Sequence, residues 1–295
     1  MTLLFLNDSM NIDLFADDST TCIHQAGYSS SEIERKLQLD INCIDSWCRT
    51  NNMLLHPNKS KCMIIGTANK TRETSGLQLT INGTVLENVY VHKLLGVYID
   101  NNLKWHHQID DVCKRVNSKI YLLKNVLYYL SDEMKQMFYN AYILPIMDYC
   151  CQIWGKGNTS YINKIYSQQK RIAKIILRKP KRSSSSGLLK DLGWLTFTDR
   201  CKYQTAVLVY KIRNNMMPSY MAELIDFSYD KPYTLRSVTN HDLAMHCLPK
   251  TNYLKYSFTY FSMNVWNQIP VLIRESKKVS YFKNKYKSFL LKHMD

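Results

Sequence analysis

Ile12-Asp13-Leu14-Phe15-Ala16-Asp17-Asp18-Ser19-Thr20-Thr21-Cys22-Ile23 sets two adjacent carboxylates between two short runs of strand-forming residues. The segment reads as a β-hairpin with Asp17 and Asp18 at or just before its tip. Side chains alternate along a strand, which would send Phe15 and Asp17 to one face and Asp18 to the other. Like charges held side by side repel and raise at least one pKa, so a fold keeps such a pair where a divalent metal or a basic partner offsets the cost. A solvated Asp-Asp turn fits the same residues. The rest of the chain has to choose between the two.

Downstream, the pattern is first helical and then extended. Ser31-Glu32-Ile33-Glu34 fits a capping box, and Ile33, Leu37, Ile41, Ile44, Trp47 and Cys48 recur at three- and four-residue steps. The turn His56-Pro57-Asn58, with Lys59 and Lys61 after it, leads into Cys62-Met63-Ile64-Ile65-Gly66, which reads as a buried strand. Leu77, Leu79 and Ile81 alternate up to Asn82-Gly83, a type I′ hairpin signal. In the β unit Val91 to Ile99, Gly96 suggests a bulge or a close approach by another backbone. From Trp105 the period is helical: Ile109, Val112, Cys113, Val116, Ile120, Leu123 and Leu127 form one face. A second helix from Ser131 has Met134, Met137, Phe138, Ala141 and Tyr142 inward and bends or stops at Pro145. Tyr161 to Leu177 is amphipathic, Ser183 to Gly187 is linker-like, Leu188 to Asn215 reads helical and Tyr229 to Pro249 irregular.

Charge is distributed unevenly along these elements. The formal net charge is +15, yet residues 1–60 hold eight acids against four bases, so the remaining 235 residues carry +19. Eight bases and no acid lie between Lys164 and Arg182. An acidic head beside a basic body suits a carboxylate metal centre next to a phosphate-attracting surface, although a basic surface also serves solubility. Nine cysteines without a CxxC read as reduced, mostly buried thiols of an intracellular protein, in the nucleus or cytoplasm. His241, His246 and Cys247 cluster without a second Cys at zinc spacing. No apolar run approaches the roughly 18 residues that span a bilayer, and no Walker loop or Ser-His-Asp arrangement occurs.

Adjacent aspartates on a hairpin, a lysine turn about 40 residues later and a Leu-Gly β-hairpin after that suggest metal-assisted phosphoryl transfer on nucleic acid. Magnesium, with manganese as a second candidate, is bound by few carboxylates plus water and substrate phosphates. Two carboxylates on one hairpin do not hold two ions, and a third has to come from elsewhere. Asp8 and Asp13 are the available candidates, although their short spacing from the pair disfavours an independent neighbouring strand and loop or N-cap roles fit them as well.

Leu14-Phe15-Ala16-Asp17-Asp18-Ser19 resembles the catalytic box of non-LTR (LINE-type, jockey-like) retrotransposon reverse transcriptases. The resemblance continues through Asn51-Asn52-Met53-Leu54-Leu55-His56-Pro57-Asn58-Lys59-Ser60-Lys61, Lys93-Leu94-Leu95-Gly96-Val97-Tyr98-Ile99-Asp100, Ile143-Leu144-Pro145-Ile146-Met147-Asp148-Tyr149 to Trp154-Gly155, and Trp266-Asn267-Gln268-Ile269-Pro270. It implies an α+β fold: a partial right-hand polymerase palm of β-hairpins plus a helix with a primer-grip hairpin (1–100), an α-helical thumb and connecting basic helix (101–182), a Ser-rich linker (183–187) and a basic, mainly helical C-terminal domain (188–295).

By residue, the resemblance implies Asp17 and Asp18 as metal ligands. It also implies Lys59, or in its place Lys61, facing the leaving pyrophosphate, Phe15 and the small Ala16 near the primer terminus, and Leu95 and Gly96 on the primer backbone. Lys170, Arg171 and Lys174 are the candidate nucleic-acid contacts of the basic stretch. The implied partners are an RNA template, a DNA primer or target and deoxynucleoside triphosphates, with no membrane role. The chain departs from the family in lacking the fingers, the first palm Asp and the Cys-Cys-His-Cys knuckle, which gives the expectation of a C-terminal portion that is inactive alone. The alternative is a noncatalytic nucleic-acid-binding remnant or domesticated protein. Without fingers, the hairpin is expected to expose an apolar face.

Overall fold

The computed structural model describes residues 11–23, 29–67, 71, 76–184, 187–225, 242–243, 249 and 251–294. It divides into two units that meet in sequence at Leu103 and Lys104. Helices and short antiparallel strand pairs are both present, as an α+β reading requires. Among the described residues no helix is long and apolar enough to cross a membrane.

The first unit contains β1 (Asn11–Phe15), β2 (Asp18–Cys22), α1 (Ser30–Thr50), β3 (Lys61–Cys62), β4 (Thr80–Ile81), β5 (Thr84–Val85), β6 (Glu87–Asn88), β7 (Val91–Leu94) and β8 (Val97–Asp100). Helix α1 starts two residues earlier than the Ser31 capping box would place it. Ser29 is extended and caps instead, its Oγ accepting from the Glu32 amide at 3.3 Å while Glu32 accepts from the Ser29 amide at 2.9 Å. The apolar stripe of α1 behaves as its periodicity requires. Ile41 packs with Leu77, Leu79, Ile81 and Leu86, and Ile33 and Leu37 flank that core. Gln38 fixes the sheet against the helix, accepting from the Thr80 amide at 2.8 Å and donating to the Thr80 carbonyl at 2.9 Å. Asn82 and Gly83 both take positive φ, 52° and 75°, which makes the turn between β4 and β5 a type I′ turn. The strand expected over Cys62 to Gly66 shrinks to Lys61–Cys62, paired in parallel with Glu87–Asn88, and Ile65 is exposed.

The second unit is helical: α2 (His106–Val126), α3 (Asp132–Phe138), α4 (Leu144–Asp148), α5 (Cys151–Trp154), α6 (Thr159–Ile176), α7 (Leu188–Asp191), α8 (Phe197–Arg213), α9 (Asn252–Lys255), α10 (Phe258–Asn267), α11 (Val271–Arg274) and α12 (Val279–Lys292). Helices α2 and α6 bury Ile109, Val112, Val116, Ile120 and Leu123 against Ile162, Ile165, Ile172 and Ile176. Three bonds run along their seam: Lys164 to Asp110 at 2.8 Å, Gln168 to the Cys113 carbonyl at 3.0 Å and Arg171 to Asn117 at 3.5 Å. Residue offsets of 54 to 55 at every rung mean that the two helices run in the same direction.

Three expectations change in this unit. The inward face of the helix after Ser131 is not Met134, Met137, Ala141 and Tyr142, which are exposed, but Lys135, Tyr139, Ile143, Ile146 and Met147. Tyr139 stacks on Trp194 with centroids 3.5 Å apart, and both Tyr139 Oη and the Leu195 carbonyl accept from buried Gln169. Those partners come from the chain beyond residue 160, so local periodicity does not report them. Pro145 does not end the helix at once. A π-helical turn over Tyr139–Ile143 precedes it and carries α3 into α4 despite the missing amide. Residues 188–215 form two helices, because Gly193 turns at a φ of 64° and Thr196 caps α8.

The late motifs of the sequence serve packing. Trp154 stacks on Phe197 and donates to the Tyr149 carbonyl at 2.8 Å, and a Cβ at Gly155 would collide with Cys201 Sγ and the Cys151 carbonyl. Asp148 accepts from Arg200 Nε at 2.8 Å, from Arg200 Nη2 at 2.5 Å and from Gln204 at 2.8 Å, which ties α4 to α8. Trp266-Asn267-Gln268-Ile269 ends α10 and turns its Asn267 and Ile269 carbonyls onto the buried Arg274, 3.1 and 2.6 Å away. Of the eight described cysteines none is in a disulfide, and only Cys48, Cys151 and Cys201 are buried, fewer than expected.

Two measurements test this packing. Asp148→Ala strips a partly buried guanidinium of its carboxylate, and urea unfolding should show a loss of roughly 3 kcal/mol. Lys156 is buried near the Cys151 and Cys201 thiols and beside the Phe258 and Phe261 rings, and desolvation pulls its ammonium down to about 8. Between that value and the ordinary lysine range the unfolded chain binds a proton that the folded chain does not, so this group adds stability as pH rises. Lys156→Met should therefore melt higher than the wild type near pH 7, and the difference should shrink as pH is raised from 8 to 10. A difference that does not vary with pH would show that the ammonium is not desolvated.

Candidate nucleotidyl-transfer and nucleic-acid site

Strands β1 and β2 pair in the register Asn11↔Cys22, Asp13↔Thr20 and Phe15↔Asp18, leaving a two-residue turn, Ala16-Asp17. This corrects the alternation expected from sequence. Asp17 sits in the turn itself, and Asp18 opens the return strand directly across from Phe15. Cross-strand partners share a face, so Phe15, Asp18 and Asp13 point to one side and Ile12 and Leu14 to the other. Ala16 has a φ of 54°, at the position where a tight hairpin turn needs a positive value. Gly, Asn or Asp is the usual choice at such a position, so the backbone by itself does not call for alanine.

Both carboxylates are exposed, and so are Leu14 (48%) and Phe15 (63%), on opposite faces of the hairpin. Asp17 and Asp18 have no basic partner among the described residues. Their oxygens are hard, anionic and accessible, so they fit one magnesium or manganese ion that keeps its waters and takes further oxygens from a phosphate. A second ion is not provided for. Among the described residues no three His, Cys, Asp or Glu side chains converge. Asp8, His241, His246 and Cys247 lie outside the described residues.

Lys59 and Lys61 are told apart by their partners. Lys61 is bonded to Glu87, whereas Lys59 lies exposed in the His56–Lys59 turn and no bond joins it to either carboxylate. Leu95 and Gly96 form the two-residue turn between β7 and β8, with φ of 45° and 84°. Gly96 is therefore the second position of a type I′ turn and not a bulge within a strand, and Leu95 is 42% exposed, outside the core. A leucine in the left-handed region is strained relative to the Asn or Asp that type I′ turns prefer.

Lys170, Arg171 and Lys174 are not one patch. The Lys170 ammonium lies 4.0 Å from the Tyr166 ring centroid, Arg171 faces α2, and Lys174 donates to the Lys181 and Ser183 carbonyls at 2.9 and 2.6 Å. Lys174 thus closes the loop after α6. Arg171 instead lines an open cleft of about 260 Å³ with Asn117, Ile120, Tyr121 and Lys124. Tyr121 was not singled out from sequence, although an aromatic residue outside the 109-112-116-120-123 stripe and between two lysines was a readable signal.

The chain is 24% identical over 243 residues to the RNA-directed DNA polymerase from mobile element jockey of Drosophila funebris, a match covering 80% of this chain and 25% of that protein. It is 24% identical over 214 residues to the corresponding jockey protein of Drosophila melanogaster, covering 72% and 22%. It is 25% identical over 188 residues to the probable RNA-directed DNA polymerase from transposon X-element of the same fly, covering 63% and 20%. The chain therefore spans about a quarter of the length of the curated relatives it matches. No family model matches, and no solved structure matches.

The strained tip gives a direct test. Leu95→Asn replaces a disfavoured left-handed leucine by the residue type that Xaa-Gly turns prefer and should raise stability by about 0.5–1 kcal/mol in thermal unfolding. If Leu95 is kept for contact with a nucleic-acid backbone, the same variant should bind a primer–template duplex less tightly. A variant that is less stable would show that the leucine is kept for packing.

Proposed function

We propose that this chain, a relative of the jockey-type RNA-directed DNA polymerases, is the palm-hairpin, thumb and C-terminal portion of a non-LTR retrotransposon reverse transcriptase. The observation that carries the reading is the Asp17-Asp18 pair on a two-residue hairpin turn, exposed and free of basic partners among the described residues, in a chain whose relatives bear that name. In this reading 1–100 is palm, with Leu95-Gly96 as a primer-grip tip, and 101–182 is thumb with its connecting basic helix. The Ser-rich stretch 183–187 then leads into the basic C-terminal domain 188–295.

Magnesium or manganese would supply neutralisation of phosphate charge and activation of a primer 3′-hydroxyl. The residues themselves bind and orient. Asp17 and Asp18 would hold the cation, Asp17 the more directly if the resemblance carries over. Phe15, on the same face as Asp18, offers an apolar floor beside the primer end. Lys59, whose ammonium has no partner among the described residues, stabilises the leaving pyrophosphate or gives it a proton. Template RNA, primer DNA and deoxynucleoside triphosphates are the corresponding partners.

Taken alone, these 295 residues should not catalyse nucleotide addition, because the described residues supply two of the carboxylates that a two-metal centre needs and no third. Purified protein with magnesium or manganese is expected to extend no primer on an RNA template. Robust extension that Asp17→Asn abolishes would refute the inactivity and keep the site. Extension indifferent to Asp17→Asn would refute the site.

A noncatalytic nucleic-acid-binding role is the second reading, favoured by the acid-free run of eight bases from Lys164 to Arg182. It calls for salt-dependent binding that survives Asp17→Asn and Asp18→Asn.

A further inference from the structure

The seam between α2 and α6 changes character along its length. At the first rung Lys164 is neutralised by Asp110. Two turns later the equivalent rung pairs Arg171 with the uncharged Asn117 at 3.5 Å, and the seam opens into the cleft lined also by Ile120, Tyr121 and Lys124. No acid occurs in the sequence from Val112 to Ser131 or from Thr159 to Lys190. The two cations of the cleft consequently have no carboxylate partner among the described residues. The Tyr121 ring stands beside them and is 69% exposed. Beyond it, in the 3-10 turn Leu127–Tyr129, Tyr128 and Tyr129 are more exposed still, at 91% and 84%.

We propose that the α2–α6 cleft is a single-strand nucleic-acid subsite in which an unpaired base stacks on Tyr121 while Lys124 and Arg171 hold the flanking phosphates. Two cations without carboxylate partners among the described residues, Lys124 from α2 and Arg171 from α6, would serve any polyanion. The exposed phenol ring narrows the choice, since an aromatic face stacks on a base only when that base is free of its own duplex stack. Asn117 adds an amide that can reach a base edge or a sugar hydroxyl. The inference rests on the nucleic-acid reading above only for the class of polymer. Asp17 and Asp18 take no part in it, so it stands or falls separately from polymerisation.

The test is fluorescence anisotropy of the whole chain with labelled 15-nucleotide rU and dT strands and a 15-base-pair duplex, across a salt series. Tyr121→Ala should weaken both single strands roughly tenfold and leave the duplex unchanged, whereas Tyr121→Phe should bind as the wild type does. Lys124→Gln with Arg171→Gln should lower the salt slope for single strands by about 1.4, the share of two phosphate contacts. Unequal binding of rU and dT, with both still dependent on Tyr121, would assign the subsite to the preferred strand. An equal loss on strand and duplex, no effect of Tyr121→Ala, or displacement by polyglutamate as readily as by unlabelled strand would each overturn the proposal. Because Tyr121 is exposed, circular dichroism and melting of the variants should match the wild type, and primer extension assayed in parallel reports the polymerase reading independently.

Discussion

The parallel contact of α2 with α6 organises the second unit. Its apolar interior removes two isoleucine-rich stripes from water, and that burial is the largest favourable term available to a helical bundle. Once the pair is formed, Gln169 on α6 is held where its amide meets both Tyr139 and the Leu195 carbonyl, which fixes the helix before it and the loop after it. Asp148 and Arg200 then tie α4 to α8, and the core of α8, α10 and α12 closes over Tyr210, Trp266 and Phe282. Removing the seam would leave each of these polar contacts without a rigid support.

In the first unit the controlling constraint is turn geometry. Three hairpins turn on two residues, and each places a positive φ at the first of them, on Ala16, Asn82 and Leu95. Only Asn82 is a residue suited to that conformation. The other two are the hairpins whose tips carry the candidate chemistry, although Leu103, Trp105, Cys150 and Arg178 take positive φ as well. A two-residue turn also decides the facing of the carboxylates: it lifts Asp17 out of the strand and brings Asp18 across from Phe15.

Much of this was legible in the chain because it depends on local pattern. The stripe of α1, the α2 and α6 stripes, the Asn82-Gly83 turn and the Phe15–Asp18 hairpin all follow from spacing of two or of three to four residues. The failures share one cause. The inward face after Ser131 departs from the periodic expectation because Tyr139 is buried against Trp194, far along the chain, while the apolar Met134 and Met137 stay outside. The strand over Cys62 to Gly66 was overextended because an apolar run does not reveal how many partners a sheet will offer.

Sequence alone determined that an Asp-Asp pair occupies a hairpin, that basic residues crowd the region after Lys164 without acids, and that ordered motifs resemble those of jockey-like polymerases. Each is a property of residue type and spacing. Tertiary structure decided which lysine is engaged among the described residues, since Glu87 reaches Lys61 and not Lys59. It also decided which bases face a cleft, since Lys174 is spent on the carbonyls of its own loop while Arg171 meets Tyr121 and Lys124 across the seam. The physical reason is common to both: a charged group's availability depends on what folding brings within hydrogen-bonding distance, and that partner is set by packing over tens of residues.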